Sequence, residues 1–519
     1  MERIIIDPVT RIEGHLKVEV MVEKGEIKDA RVAGTLFRGW EIILKGRDPR
    51  DASQITQRVC GVCPIAHATA SVFALDNAFG VDKSIPDNAR IIRNLILGAN
   101  FLQSHILHFY HLSLLDFVDF SCLSNYEGEN PDLLSLKKFL SRGELYPFLP
   151  RYEGDYRLDK ETNEKLAAHY MKALEIRKKA HEISAIFGGK MPHNVGMVAG
   201  GVTSRPTSDK IVSFLWRLNE IRDFIDNCYL PDTIALARFY QDHLHMGASH
   251  NNFLSYGAFN LDSAEIDQTK RKRLFLQGFV SADSSYEPLD ISQINEQLKY
   301  SWYSQEYSGL HPALEKTEID EKKKNGYSWI KAPRYKGMPS EVGPLARIVV
   351  SFYGKNEKVT RSVESVLSQI GGKIDLLFSI LGRHIARALD AKIVADHMAE
   401  WVLQLKVDEP VYTPYSLPDQ AEGMGITEAP RGALGHWIKI NDKVIDSYQL
   451  VVPSTWNISP RDDSDQPGPL EKALMGLKVK DSSNPFEVVR CVRSFDPCLA
   501  CAVHLITPKK KELARFRVS

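Results

Sequence analysis

The sequence lacks the features that mark membrane-spanning, exported or nucleic-acid-binding chains. No uncharged apolar run approaches the roughly 18–20 residues that a membrane-spanning helix needs. The N-terminus, Met-Glu-Arg-Ile-Ile-Ile-Asp, has neither a basic segment followed by a long apolar one nor a twin arginine. Lys plus Arg and Asp plus Glu both number 66, so no nucleic acid or anionic membrane is expected as a partner. We expect a chain that neither exports nor anchors itself.

Internal repeats and low-complexity linkers are also missing, and the periodicity that is present is mostly helical. With 519 residues, 43% of them hydrophobic, the chain can bury a large core. Apolar residues recur at helical spacing over 88–120, 160–187, 207–240 (with Ser208-Asp209 as a cap) and 362–406, the last broken at Gly371-Gly372. Residues 15–33 and 437–452 read as hairpins turning at Lys24-Gly25 and Asn441-Asp442, whereas periodicity fades over about 255–340. This predicts a mainly α fold with small β elements near both ends.

Cysteine is scarce, yet four of the seven cysteines form two CxxC pairs, Cys60–Cys63 and Cys498–Cys501. A histidine follows each pair, His67 or His504. Four thiolates suit a soft or borderline transition metal. Because the pairs lie near opposite ends of the chain, the whole fold must close to assemble such a site, which favours one intertwined domain.

Other interpretations of the cysteines are weaker. Structural zinc usually takes its ligands from one short module, but more than 400 residues separate these pairs. A c-type haem needs histidine directly after the second cysteine, where Pro64 and Ala502 stand. Two independent redox disulfides stay open, although no βαβ pattern surrounds Cys60. A shared metal site is favoured, and the residues alone leave the metal open.

Several histidines and the remaining cysteines have simpler explanations. His105, His108 and His111 recur every three residues, a spacing that drifts around a helix, so packing or backbone hydrogen bonds are expected rather than ligation. His193 is expected to be structural or interfacial. The isolated cysteines are expected to be small buried hydrophobes, namely Cys122, Cys228 and Cys491.

The residues around both pairs belong to six ordered motifs. These are Asp7-Pro-Val-Thr-Arg-Ile-Glu13-Gly-His15, Arg38-Gly-Trp-Glu41, Arg58-Val-Cys60-Gly-Val-Cys63-Pro-Ile-Ala-His67, Ala429-Pro430-Arg431-Gly-Ala-Leu-Gly-His436-Trp437, Val452-Pro-Ser454-Thr-Trp-Asn457 and Asp496-Pro-Cys498-Leu-Ala-Cys501-Ala-Val-His504. Together they resemble the large, catalytic subunit of nickel-iron hydrogenases of the uptake type, in precursor form. The resemblance runs from residue 7 to the C-terminus. It implies a bundle of long helices enclosing a buried metal centre.

The resemblance implies a role for each residue of that centre. Cys60 and Cys498 would be terminal ligands to nickel, and Cys63 and Cys501 would bridge nickel to iron. Carbon monoxide and two cyanides would complete the coordination of the iron. Arg431 would point at one cyanide, Ser454 would donate a hydrogen bond to the other, and Pro430 would pack beside them.

Dihydrogen offers no charge to recognise, so catalysis must polarise it between a Lewis acid and a base. The sulfur of Cys498 is the expected base, with Glu13 receiving the proton next. Arg431 is the rival base, disfavoured because a guanidinium hardly loses its proton. Asp116 and Asp496 would form a polar canopy above the metals.

The resemblance also implies magnesium, held by Glu41, the Leu450 carbonyl, His504 and waters. Oxygen ligands of this kind suit a hard octahedral ion. His504 is an unusual ligand for it, and spacing alone would not predict the site.

The cysteine count requires a partner protein. After four thiolates hold nickel and iron, the remaining three are too few for an iron–sulfur cluster held by four cysteines. The electrons from dihydrogen therefore need an Fe–S small subunit. In the family that subunit often bears the export signal, which implies a periplasmic, membrane-associated enzyme, with a cytoplasmic location as the alternative. Maturation would need an endopeptidase and nickel- and iron-insertion proteins.

The tail beyond His504 predicts processing. Residues 505–519 carry five basic residues against Glu512. A solvated extension is one interpretation. The favoured one is a propeptide removed after nickel insertion, leaving residues 1–504 as a single catalytic domain.

Two other function classes stay in view. One is an electron-transfer subunit related to respiratory complex I, but that homologue lacks the four cysteines. The other is a scaffold with structural zinc, which would not need Glu13 or Arg431.

Overall fold

A computed structural model describes residues 2–37, 39–143, 148, 154–262 and 265–502, with Cys501 and Ala502 described by their backbone alone. The α-helices in these ranges are α1 (Trp40–Leu44), α2 (Ala52–Thr56), α3 (Pro64–Ala78), α4 (Asp87–Ile106), α5 (Pro131–Ser141), α6 (Lys160–Gly188), α7 (Ser208–Phe224), α8 (Leu230–Phe239), α9 (Pro344–Tyr353), α10 (Glu357–Ile370), α11 (Ile380–Val402), α12 (Pro453–Asn457), α13 (Pro469–Leu474), α14 (Phe486–Ser494) and α15 (Leu499–Ala502).

The strands are short and form small antiparallel sheets. They are β1 (Glu2–Ile6), β2 (Leu16–Glu23), β3 (Glu26–Gly34), β4 (Met197–Val198), β5 (Gly201–Val202), β6 (Phe253–Asn260), β7 (Arg273–Val280), β8 (Tyr286–Glu287), β9 (Ile294–Gln297), β10 (Ala332–Tyr335), β11 (Gln420–Ala429), β12 (Gly432–Asn441) and β13 (Val444–Val451). The sheets are β1–β2–β3, β4–β5, β6–β7–β8, β9–β10 and β11–β12–β13. The predicted mainly α fold with small β elements is confirmed.

Long helices form the centre of the molecule. α4 packs against α6 and α11, and α11 also packs against α7 and α8. α4 is buried on nearly every side: Leu95 and Leu102 are fully buried, and so are polar residues such as Asn100. It continues through a π-helical segment, Leu107–Ser113, and a 3-10 turn, Leu114–Asp116, so the helix predicted over 88–120 ends at Asp116.

The other helix predictions hold with small corrections. The break between α10 and α11 falls at Gly371, whose φ of 72° is the left-handed conformation that favours glycine at a helix end. Residues 207–240 form α7, a π-helical segment (Ile225–Tyr229) and α8 in succession. Thr207 is the residue that precedes α7, so the predicted cap at Ser208-Asp209 lies one residue too late.

Both predicted hairpins are present. β2 and β3 turn at Lys24-Gly25, as predicted. β12 and β13 turn at Asp442-Lys443, one residue later than predicted, and both turn residues have positive φ. The sequence pattern did not predict β11, which extends this hairpin into a three-stranded sheet.

Fading periodicity over about 255–340 did not reveal the two strands that lie at the start of this region. β6 and β7 are long strands there, and every residue of β6 is buried. A strand that is covered on both faces does not alternate between apolar and polar residues, so the two-residue period is lost.

α3 lies directly on β11, because glycines on the strand allow backbone contact. A Cβ atom on Gly425 would lie 1.9 Å from the Ala70 carbonyl oxygen, and one on Gly423 would lie 2.2 Å from that of Ala74. The strand and the helix therefore run in opposite directions. The end of β11 is directed toward the start of α3, where Cys63 lies.

The N-terminal sheet also contacts the last third of the described chain. Ile27 N donates to the Leu477 carbonyl at 2.9 Å, and α13 packs against β3. One hydrophobic cluster contains residues from Ile4 to Leu499. Over the described ranges, no helix combines the length and apolar character needed to cross a membrane.

Candidate metal centre

The first CxxC pair lies at the N-terminus of α3. Cys60 is extended, and Cys63 is the residue that precedes the helix, with Pro64 in its first turn. The Cys60 sulfur accepts hydrogen bonds from the backbone N–H of Val62 at 3.3 Å and of Cys63 at 3.1 Å. N–H donors and a helix N-terminus favour negative charge, so this turn suits a thiolate.

Cys498 approaches the first pair from the other end of the chain. Its sulfur lies 3.2 Å from that of Cys60. The sulfurs of Cys60, Cys63 and Cys498 all lie within 4.8 Å of one another, and each residue is at most 2% exposed. Members of both CxxC pairs thus meet in one buried cluster. The side chain of Cys501, and His504 as a whole, lie outside the described residues.

Glu13 is tied to Cys498 through backbone and side chain. The two residues form a parallel β-bridge, in which Glu13 N donates to the Pro497 carbonyl and Leu499 N donates to the Glu13 carbonyl. The Glu13 carboxylate accepts from the Cys498 sulfur at 3.2 Å and from Ala500 N at 3.0 Å. Burial, together with the charge of Cys60, raises the pKa of Glu13 to about 7, despite these hydrogen bonds.

Arg431 is placed at the tip of the β11–β12 hairpin. Ala429 pairs with Gly432, so Pro430 and Arg431 form a two-residue turn. Arg431 is only 2% exposed, and its guanidinium donates to the Asp496 carbonyl at 3.0 Å and carboxylate at 2.9 Å. The turn therefore places the buried, positively charged Arg431 guanidinium against the segment that precedes Cys498.

Asp496 and Ser454 border the same segment. Asp496 has a φ of 54°, and this left-handed residue precedes the Pro497–Cys498 step. Cys498 N donates to the Ser454 hydroxyl oxygen at 2.9 Å, which sets Ser454 directly against the backbone of Cys498. Both residues are buried.

Asp116 and Asp496, the two carboxylates of the predicted canopy, have different arginine partners. The Asp116 carboxylate accepts from Arg11 and Arg493. Burial would raise the pKa of Asp116, but the charges of these two arginines outweigh burial and lower it. The polar side chain that Arg431 reaches on the central helix is instead Ser104, at 3.4 Å. The sequence analysis missed Ser104, because it is one of several buried polar residues on α4 and nothing local distinguishes it.

Glu41 and Leu450 lie on neighbouring elements, since α1 packs against β13. Burial raises the pKa of Glu41 although the positive charge of Lys331 opposes it. Lys331 is itself 7% exposed and pairs with Glu296 at 3.2 Å and Glu315 at 2.6 Å. This buried charge cluster had no signal in the sequence, because its members are scattered along the chain.

The histidines of the central helix make protein contacts. His108 Nε2 lies 2.6 Å from the Arg493 carbonyl, and His111 Nε2 lies 3.3 Å from that of Tyr170. His67 Nδ1 lies 3.3 Å from His436 Nε2, a contact that spacing did not reveal. Cys228 and Cys491 are buried as predicted, but Cys122 is exposed, so that prediction was wrong.

The donor set fits a soft or borderline transition metal, a class that includes nickel and iron. The cluster offers buried sulfur donors, which soft and borderline metals prefer. Arg431 uses three of its five N–H groups on Asp496 and Ser104, so two are left over among the described contacts for a further acceptor. Such a site can bind a metal and hold anionic ligands beside a cation.

Comparison with known proteins gives a consistent result. A family model described as nickel-dependent hydrogenase matches residues 38–504, and one described as HoxL-like matches residues 3–35. The periplasmic NiFeSe hydrogenase large subunit of Desulfomicrobium baculatum is 43% identical over 97% of this chain and 95% of that protein. The uptake hydrogenase large subunit of Rhizobium leguminosarum bv. viciae is 38% identical over 100% of this chain and 97% of that protein.

Solved structures agree with the sequence relatives. The Ni-Fe-Se hydrogenase from D. vulgaris Hildenborough in the reduced state superposes with a TM-score of 0.85 at 45% identity, covering 97% of this chain and 100% of that one. Fold, cysteine cluster and relatives lead to the same conclusion. The chain belongs to the nickel-dependent hydrogenase family, as a large subunit.

Proposed function

We propose that this subunit cleaves dihydrogen reversibly and heterolytically at a nickel–iron centre held by Cys60, Cys63, Cys498 and Cys501. The observation that carries the proposal is the contact between the Cys498 sulfur and the Glu13 carboxylate, at 3.2 Å, inside a buried trio of sulfurs. A metal ligand and a proton acceptor are thereby neighbours. That is the arrangement which heterolysis requires.

The four cysteines would divide into two roles. Cys60 and Cys498 would be terminal ligands to nickel, and Cys63 and Cys501 would bridge nickel to iron. Arg431 would donate to one of two cyanides on the iron, whose third diatomic ligand would be carbon monoxide. Ser454 would donate to the other cyanide, since its oxygen already accepts from Cys498 N and its own proton stays available to donate. Pro430, the partner of Arg431 in the turn, would pack beside them.

The proton path begins at a sulfur. When bound, the metal pair would supply the Lewis acid that polarises dihydrogen and takes up its electrons. Cys498 Sγ would accept the proton, and Glu13 Oε2 would receive it next. Arg431 is a poor base, because Asp496 and the nearby thiols raise its pKa although burial opposes them. We therefore assign Arg431 and Asp496 to holding charge above the site. Asp116, the other residue of the proposed canopy, would act through its bonds to Arg11 and Arg493.

A magnesium ion would lie at the second site. Glu41 and the Leu450 carbonyl are its ligands within the described residues, and they lie on elements that pack together. His504 and waters would complete the octahedral set. The oxygen donors fit a hard cation.

The electrons require an Fe–S small subunit, with which this chain would form a heterodimer. The described cysteines outside the cluster are Cys122, Cys228 and Cys491, and they are scattered along the chain. A named relative is periplasmic, and we propose the same location here, with membrane association through partner subunits. Nickel- and iron-insertion proteins would load the centre.

Residues 1–504 would form the catalytic domain, and residues 505–519 a propeptide cut by a maturation endopeptidase. The family match ends at His504, which supports this boundary. The propeptide lies outside the described residues.

Isotope exchange tests the proposal. The purified heterodimer should form HD from deuterium gas in ordinary water, because heterolysis mixes gas and solvent protons. Cys498→Ser and Cys63→Ser should abolish exchange, since serine offers a hard oxygen in place of a soft thiolate. Cys122→Ser, at an exposed cysteine, should leave exchange unchanged. Full exchange in either of the first two variants would contradict the assignment.

A further inference from the structure

A second buried arginine, Arg347 on α9, donates hydrogen bonds to the backbone of the turn that carries Arg431. It has 0% exposure, and its Nε donates to Asp390 at 2.8 Å and its Nη1 to Glu428 at 2.8 Å, with a further short bond from Nη2 to Asp390. Nη1 also donates to the Ala429 carbonyl and Nη2 to the Pro430 carbonyl, each at 3.0 Å. All five N–H groups of this guanidinium are therefore engaged.

The two carboxylates are fixed in their turn. Glu428 is the residue before Ala429 on β11, and its second oxygen accepts from Tyr256 N at 2.7 Å. Asp390 lies on α11 and is fully buried. Arg347 thus connects α9, α11 and β11 at one point. A guanidinium group that is hydrogen-bonded to carboxylates from two different elements has little freedom to rotate.

The start of α9 touches Arg431 as well. A Cβ on Gly343, the residue before α9, would lie 2.9 Å from the Arg431 carbonyl oxygen. Gly343 has a φ of 120°, which other residues rarely adopt. One helix therefore contacts the backbone of Ala429, Pro430 and Arg431 in succession. The direction of the Arg431 side chain depends on this backbone, since it extends from the tip of a two-residue turn.

We propose that Arg347, together with Asp390 and Glu428, is a positioning residue that aims the Arg431 guanidinium at a cyanide ligand of the iron. The inference rests on the proposed function, because it takes the cyanide as the acceptor of Arg431. Within the part of the chain that the structure describes, Arg347 donates hydrogen bonds only to carboxylates and backbone carbonyls. It would act by holding the turn, and a small rotation of that turn would lengthen the hydrogen bond from Arg431.

Infrared spectra of the purified heterodimer test the direction of the Arg431 guanidinium, because the cyanide stretching bands report hydrogen bonding to the iron ligands. We would compare two variants. Arg347→Lys keeps the positive charge and loses the planar guanidinium, whereas Asp390→Asn keeps the side-chain shape and loses the negative charge. The matched control is Arg93→Lys. Arg93 is also buried and pairs with Asp76, but it donates to the carbonyls of Val198 on β4 and Gly201 on β5 rather than to the turn that carries Arg431.

We expect nickel and iron content to be retained in the Arg347 and Asp390 variants while the cyanide bands move away from their wild-type positions. Turnover should fall about tenfold to a hundredfold, as for a catalytic group displaced by about 1 Å. Arg93→Lys should keep wild-type bands. Wild-type bands in both test variants would overturn the inference. So would loss of metal from both while Arg93→Lys stays loaded, since Arg347 would then serve assembly rather than aim. A wild-type enzyme without cyanide bands would instead refute the proposed function.

Discussion

At the residue scale, Glu13 is the side chain whose surroundings say most about catalysis. It shares a β-bridge with Cys498 and accepts a hydrogen bond from that sulfur. Its pKa, raised by burial to about 7, suits a group that both takes and releases protons near neutral pH.

Glu13→Gln tests this role. The amide keeps the size and can still accept from Ala500 N, but it cannot carry a proton onward, so turnover should fall by about a hundredfold or more. Infrared bands of the iron ligands and nickel content should stay as in the wild type. Glu19→Gln, at an exposed ion pair with Arg3, serves as the control. If the bands disappear along with the activity, Glu13 is needed for assembly and the proton-relay role fails.

The site residues named from the sequence are those within the six motifs, and their roles were implied by the family resemblance. The structure brings the described ones together, namely Glu13, Cys60, Cys63, Arg431, Ser454, Asp496 and Cys498. Ser104 and Arg347 could not be found this way. Ser104 meets Arg431 across 327 positions and Arg347 meets Glu428 across 81, so only tertiary structure reveals them.

At the scale of elements, helices with a clear period were predicted well, whereas strands covered on both faces were missed. β6 and β7 illustrate the reason, because complete burial removes alternation. β11 was missed for another reason. Its glycines, Gly423 and Gly425, argue against a strand locally, but they are what allows α3 to lie against it.

A buried network connects three helical elements away from the metal cluster. His169 on α6 bonds Asp232 on α8 at 2.7 Å, and Tyr110 in the π-helical segment donates to the same carboxylate at 2.6 Å. Burial would lower the pKa of His169, but hydrogen bonds with Asp232 and Cys228 outweigh it and raise the pKa to about 9. The charged imidazole thus stabilises the packing of α6 on α8.

This network predicts an alkaline loss of stability. Because the folded pKa of about 9 exceeds the ordinary value of 6.5, the stabilisation is complete below pH 6.5 and is lost as pH rises through 9. The contribution is on the order of 3 kcal/mol at most. The melting temperature of His169→Gln should change less with pH over this range than that of the wild type. His15→Gln, at an exposed histidine, should match the wild type. Equal pH dependence in all three proteins would exclude the network as its source.

At the scale of the whole molecule, segments around Glu13 and Cys498, from opposite parts of the described chain, meet at the cysteine cluster. Cys498 is held by Glu13 on one side and by Ser454 on the other, so the last segment must be in place before the site is complete. A tail attached a few residues after Cys501 could hold this segment away from the core. Cleavage after loading would then let the segment settle.

Intact-mass measurement tests this order of events. We expect active, nickel-loaded enzyme to contain a large subunit that ends at His504. Chain that still carries residues 505–519 should be found without nickel. Nickel-loaded, turning-over enzyme that ends at Ser519 would exclude the propeptide.

Elemental analysis of the purified heterodimer decides whether the cysteine cluster holds nickel and iron. We expect about one nickel per large subunit, bound to the thiolates, with nickel lost in Cys498→Ser while the iron of the small subunit remains. Zinc in place of nickel would indicate a structural site, and absence of any metal from the large subunit would indicate an electron-transfer homologue. Either result would show that the nickel–iron assignment is wrong.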